Sequence, residues 1–189
     1  MTANQKSFIE DLENTQLELS NKWIEYWNTY SNFGTWQFWT NLSFLLIPLI
    51  VLYFFIDKRK ALLIGFYGFN VHVWFTYIDI IGGERAYWFY PYKVFPILPT
   101  GFALDVALVP VAYMLVYQWT LKHKKNYYLY ILALCAVLAF VFKPLLVSLD
   151  LFELNRGANY FHLFLGYAIV AVISKIITNI FVSFEKNAK

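Results

Sequence analysis

Charge is scarce in this chain. Only 14% of its 189 residues are Asp, Glu, Lys or Arg, against about a quarter in an ordinary soluble domain. With 60% hydrophobic and 22% aromatic residues, it has too little polar surface to cover itself in water. A soluble globular domain is excluded. Cysteine is nearly missing as well: Cys135 stands alone, so neither an internal disulfide nor a paired-cysteine metal site can form. No sign of charge dominates. The net charge of +3 is divided among loops, so no basic face exists to hold nucleic acid. Glycine-rich nucleotide loops, HExxH and GxSxG are all absent, which leaves no familiar catalytic motif. The opening residues MTANQKSFIEDLENTQ lack the basic flank, apolar core and small-residue cleavage site of a signal peptide. The first apolar run is therefore expected to direct insertion itself.

What fills the sequence instead is long apolar runs, about the twenty residues needed to cross roughly 30 Å of hydrocarbon. Five qualify, at about 34–56, 61–81, 100–120, 127–149 and 158–181. The expected fold is an all-α membrane protein, a five-transmembrane-helix bundle in the cell membrane. Cytoplasmic loops are enriched in Lys and Arg. Here Lys58-Arg59-Lys60, Lys122 to Lys125, and Lys186 with Lys189 follow the first, third and fifth runs. That alternation puts the N-terminus outside and the C-terminus inside.

Before the first run, Phe8, Leu12, Leu19, Trp23, Tyr26 and Tyr30 recur at steps of three and four. They form the stripe of an amphipathic helix within 1–33. Its polar face is acidic, with Glu10, Asp11, Glu13, Glu18 and Glu25, unlike helices held by anionic lipid. It would lie along the outer interface, cover the bundle or meet a partner. Segment 82–99, GGERAYWFYPYKVFPILP, is apolar but broken by Pro91, Pro96 and Pro99. It reads as an interfacial hook at the outer face, either a lid or an anchor, with Tyr87, Trp88, Tyr90 and Tyr92 suited to headgroups.

Polar residues inside apolar runs are expensive and mark pathways, pockets or structural pairs. At 1.5 Å per residue, Lys143 lies about 9 Å from the outer end of its run. Asp105, His162, Asp79 and Asn41 fall in the same outer third, and His72 lies near mid-span, seven residues before Asp79 on one helical face. Small residues share faces with most of them, among them Gly65, Gly68, Gly101 and Gly166, which turns those faces inward. The expectation is an outward-facing polar pocket or ion pair, Lys143 with Asp105, with His162 and Asp79 at its rim. A structural pair or a snorkelling lysine would leave the same trace. Two His and two carboxylates suit zinc chemically, but they come from three helices without a spacing signal. No metal, cofactor or catalytic residue is assigned. Pro48, Pro110 and Pro144 are candidate kinks.

The stretches FALDVALVPVAYMLVYQW (102–119) and FVFKPLLVSLDLFEL (140–154), with the alternating loop charge, resemble an uncharacterised family of small multi-pass membrane proteins of spore-forming Gram-positive bacteria. The resemblance covers mainly 94–181. Members often carry an acidic residue where this chain has Lys143, so the resemblance implies membrane location and lends no activity. Three functions stay open: binding, transport or sensing of a small molecule; an enzyme acting on lipid or isoprenoid; and an assembly subunit. Partners would be the lipid bilayer and a membrane protein or second copy.

Overall fold

The computed structural model describes residues 1–98 and 101–188. Pro99, Thr100 and Lys189 lie outside, and with them the expected start of the third run, the end of the hook and the last basic residue. Helix α1 (Ala3–Tyr26) continues through a π-helical turn, Trp27–Ser31. Then come α2 (Trp36–Phe55), α3 (Ala61–Glu84), a short strand β1 (Trp88–Phe89), α4 (Val109–His123), α5 (Tyr127–Val137), α6 (Lys143–Ser148), β2 (Glu153–Leu154) and α7 (Tyr160–Asn187). π-helical turns at Leu104–Leu108 and Leu138–Phe142 extend α4 backwards and join α5 to α6.

Five of these bodies are long and apolar enough to cross a membrane: Trp36–Phe55, Lys58–Glu84, Leu104–His123, Tyr127–Ser148 and Tyr160–Asn187. Each falls on one of the five apolar runs. Two of the π turns stand just before Pro110 and Pro144. Proline has no N–H to continue the ladder, and a wide turn is one way a helix absorbs that gap. Pro48 sits inside a regular α2.

Helix α3 is the central element and packs chiefly on α7 and α4. Tyr67, Val71 and Phe75 of α3 join Tyr113, Tyr117, Ile131, Cys135 and Tyr167 in the core. Gly68 allows the α3–α4 approach: a Cβ there would lie 2.2 Å from the Met114 sulfur. Gly65 has open space instead, so the glycines of that face are not all contacts. Helix α2 is peripheral, with Phe38 its single buried residue. A helix apolar on all sides and exposed on most of them suits a hydrocarbon surround.

The loops differ at the two ends. The basic loops around Lys58–Lys60 and Lys122–Lys125 are short. At the opposite end, β1 pairs antiparallel with β2, Trp88 against Leu154 and Phe89 against Glu153. This clasp joins the connection after α3 to the one before α7. Helix α1 has no buried residue along Ala3–Tyr26, and only its last turns meet the rest of the molecule.

Candidate ligand site at the hook end

Lys143 follows directly on the π turn Leu138–Phe142, and its side chain is 2% exposed. Its Nζ donates to the Tyr90 hydroxyl at 3.0 Å. The ammonium also stands 3.5 Å from the centre of the Phe152 ring and 4.7 Å from that of Tyr90, so two aromatic faces stabilise the cation. Tyr90 in turn donates to Asp79 Oδ1 at 2.8 Å. Burial pushes the Tyr90 phenol well above its ordinary value, so it stays protonated and keeps both roles, acceptor from lysine and donor to aspartate.

Asp79 is the hub. Oδ1 also accepts from Trp88 Nε1 at 2.8 Å, and Oδ2 accepts from the Gly101 N–H at 3.1 Å. Three donors on one buried carboxylate supply charge-assisted hydrogen bonds in place of water. The hook therefore turns inward. Its Tyr90 is buried, Trp88 leans on Gly82, and a Cβ at Gly82 would lie 1.9 Å from the Trp88 ring. The lysine–tyrosine–aspartate chain links α6, the hook and α3.

The expected partner of Lys143 was Asp105. Asp105 is buried in the π turn before α4, and its charge and that of Asp79 both act on the ammonium. The hydrogen bond of Lys143 runs through Tyr90 to Asp79. His72 Nδ1 donates to the backbone oxygen of Asp105 at 2.8 Å. That carbonyl lies five residues before Pro110, the acceptor a π turn would have given to the missing proline N–H. His162 is exposed, and its Nδ1 accepts from the Asn159 N–H at 3.3 Å, closing the capping box of α7. Asn41 donates to Tyr92 O at 3.1 Å and ties the hook to α2.

Two spaces adjoin the chain. A cavity of about 30 Å³ is bounded by Asp79, Trp88, Tyr90, Lys143, His162 and Tyr167. At ~10–15 Å³ per water, it has room for about two. A cleft of about 360 Å³ lies between the end of α1 and the hook, with Trp23, Glu84, Phe89 and Lys93 on its walls. Trp88 and Tyr90 line both and form the partition between them. Of the six residues singled out in the sequence, Asp79, Lys143 and His162 meet at the small cavity. Asp105 acts on Lys143 through its charge, while His72 and Asn41 hold backbone groups. Among the described residues, no three His, Cys, Asp or Glu side chains gather to hold a metal ion.

Sequence reasoning assigned Trp88 and Tyr90 to the headgroup interface and did not single out Lys93 as a site residue. Lys93 is 6% exposed. Its backbone is held on both sides, since its N–H donates to Ser31 Oγ at 3.0 Å and its carbonyl accepts from Trp27 Nε1 at 2.9 Å. Its Nζ donates to Leu98 O at 3.0 Å and stands 3.6 Å from the Trp23 ring centre. Burial brings this ammonium down to about 8, with Asp79 pulling the other way. The signal was the aromatic run itself, interrupted by Pro91 and Pro96 on either side of Lys93. Comparison with known protein families, with curated proteins and with solved structures finds no match to this chain.

Proposed function

We propose that the protein is a multi-pass cell-membrane protein that binds and senses a small molecule at its outward-facing hook end. The observation that carries this reading is the cleft of about 360 Å³ sharing its Trp88–Tyr90 wall with the Asp79–Tyr90–Lys143 chain. That volume falls in the range of ordinary ligand pockets, about 300–1,000 Å³. The basic loops at the far end favour a cytoplasmic position for that end, which turns the cleft outward.

A ligand in the cleft touches Trp88 and Tyr90, the two side chains that donate to Asp79 Oδ1. Moving either ring changes what Asp79 and Lys143 face, and so couples occupancy to the packing of the hook on α3 and α6. An enzyme on lipid or isoprenoid is less well supported. His72 and His162 each engage a backbone group through Nδ1, not a carboxylate poised for general-base work.

The test places a cysteine in the cleft. Cys135 is buried and leaves the background quiet. Ser20→Cys should react with a membrane-impermeant maleimide on intact cells, Lys124→Cys should not, and 4-phenylbutan-1-ol should protect Ser20→Cys in the purified protein. The reverse labelling pattern overturns the orientation, and absence of protection overturns the binding site.

A further inference from the structure

We infer that the occupant of the cleft is an anionic amphiphile, a carboxylate or phosphate on an apolar body, with its anion set against Lys93. This rests on the cleft being the binding site. Lys93 is the single cation among the described residues lining it. Ser31 and Trp27, in the π-helical turn after α1, hold its backbone and fix where the side chain starts. Its ammonium has three N–H donors. Among the described residues its contacts are the Leu98 carbonyl and the face of Trp23, neither with a full negative charge, and Asp79 acts on it only through space. A buried ammonium held by neutral partners is incompletely compensated, and an anion in the adjoining cleft completes it.

The other walls fit the rest of such a molecule. Trp23, Trp88, Phe89, Pro96 and Ile97 supply ring and aliphatic surface. Glu84, the one carboxylate on the lining, is exposed, so it does not neutralise Lys93 at depth. The charge acting on Lys93 is Asp79 of α3; the other titratable groups on the lining are Glu84 of α3 and Tyr90 of the hook, while α1 offers the uncharged Gln16 and Ser20. Two sources share this chemistry, a free organic acid and the headgroup of an anionic lipid entering from the bilayer surface.

The experiment is calorimetric titration of the full-length protein in neutral detergent at pH 7 with 4-phenylbutyrate and 4-phenylbutan-1-ol. The acid should bind about tenfold tighter than the alcohol, the step that one charge-assisted hydrogen bond supports. Lys93→Gln should bring the two to parity while the alcohol still binds. If that variant does not fold, the wild type decides. Its preference for the acid should fade as pH rises past about 8, because the ammonium is charged below that point and neutral above it, while the alcohol stays flat. Equal binding of acid and alcohol, or a preference that survives Lys93→Gln or high pH, overturns the anion assignment and leaves the cleft standing. Binding of neither probe overturns both. Displacement of 4-phenylbutyrate by dihexanoylphosphatidylglycerol identifies the lipid source, and its failure to displace identifies the free acid.

Discussion

Two lysines in this bundle reach for tyrosine, at opposite ends. At the hook end, Lys143 donates to Tyr90, and Tyr90 is backed by the Asp79 carboxylate. Toward the basic end, Lys175 donates to Tyr117 at 3.1 Å and stands 4.3 Å from that ring's centre. There the neighbours are more tyrosines: Tyr67 meets Tyr127 at 2.6 Å, and Tyr127 donates to the Ala171 carbonyl at 3.0 Å. Lys175 is only half-buried, whereas Lys143 is enclosed. The first arrangement is a charge balanced by a charge through a phenol. The second is a charge resting on rings with water in reach. Enclosure is what demands a counter-charge.

The largest contrast should come from removing the hub. Asp79→Ala strips the acceptor from Trp88, Tyr90 and Gly101 and leaves Lys143 short of negative charge, a loss of about 3–5 kcal/mol. Lys175→Met should cost about 1 kcal/mol or less, since a half-wet cation gains little from its partner. Unfolding in mixed micelles measures both, and equal losses would erase the distinction. Asp79→Ala and Lys143→Met should also couple by about 0.5–3 kcal/mol in a double-mutant cycle, and simple additivity would show that Tyr90 does not transmit between them.

Glycine substitution sharpens the same contrast on one helix. Gly82→Ala drives a methyl into the Trp88 ring and should cost about 1–3 kcal/mol by overpacking. Gly65→Ala meets nothing within 4 Å and should be neutral or stabilising by up to about 1 kcal/mol. Thermal unfolding of the two variants checks the pair. A further difference is between phenols. Tyr90→Phe breaks the bond from the Lys143 ammonium and the bond to the Asp79 carboxylate, about 1.5–3 kcal/mol each, while Tyr127→Phe breaks two neutral bonds, about 0.5–1.5 kcal/mol each.

Much of this fold could be read from the residues alone, because hydrocarbon-length apolar runs leave a chain few alternatives. The five spans and the amphipathic α1 all appear where the runs and the stripe place them. The site was half legible. Depth counting brought Lys143, Asp79 and His162 to one level because helical rise is regular. It could not supply Tyr90 or Lys93, which sit in a proline-broken segment with no period to count along. It also gave Lys143 the Asp105 carboxylate, whose charge acts on the ammonium, without finding the hydrogen bond to Tyr90 of the hook. Small residues were an uneven guide. Gly68 and Gly82 mark close approaches, while Gly65 faces open space. Glycine permits contact without requiring it.

The clasp between Trp88–Phe89 and Glu153–Leu154 has a consequence for the order in which the protein is made. Its two halves are more than sixty residues apart, with two spans between them. The ribosome delivers β1 long before β2, and Lys143 arrives only shortly ahead of β2. Until then, Asp79 and the hook are without the lysine and the second strand. The Lys143 contact and the clasp are thus both late, and only α7 follows them in the chain. A chain stalled or cut before residue 153 would carry every residue lining the cleft, Gln16 to Leu98, and lack the strand that clasps Trp88 and Phe89.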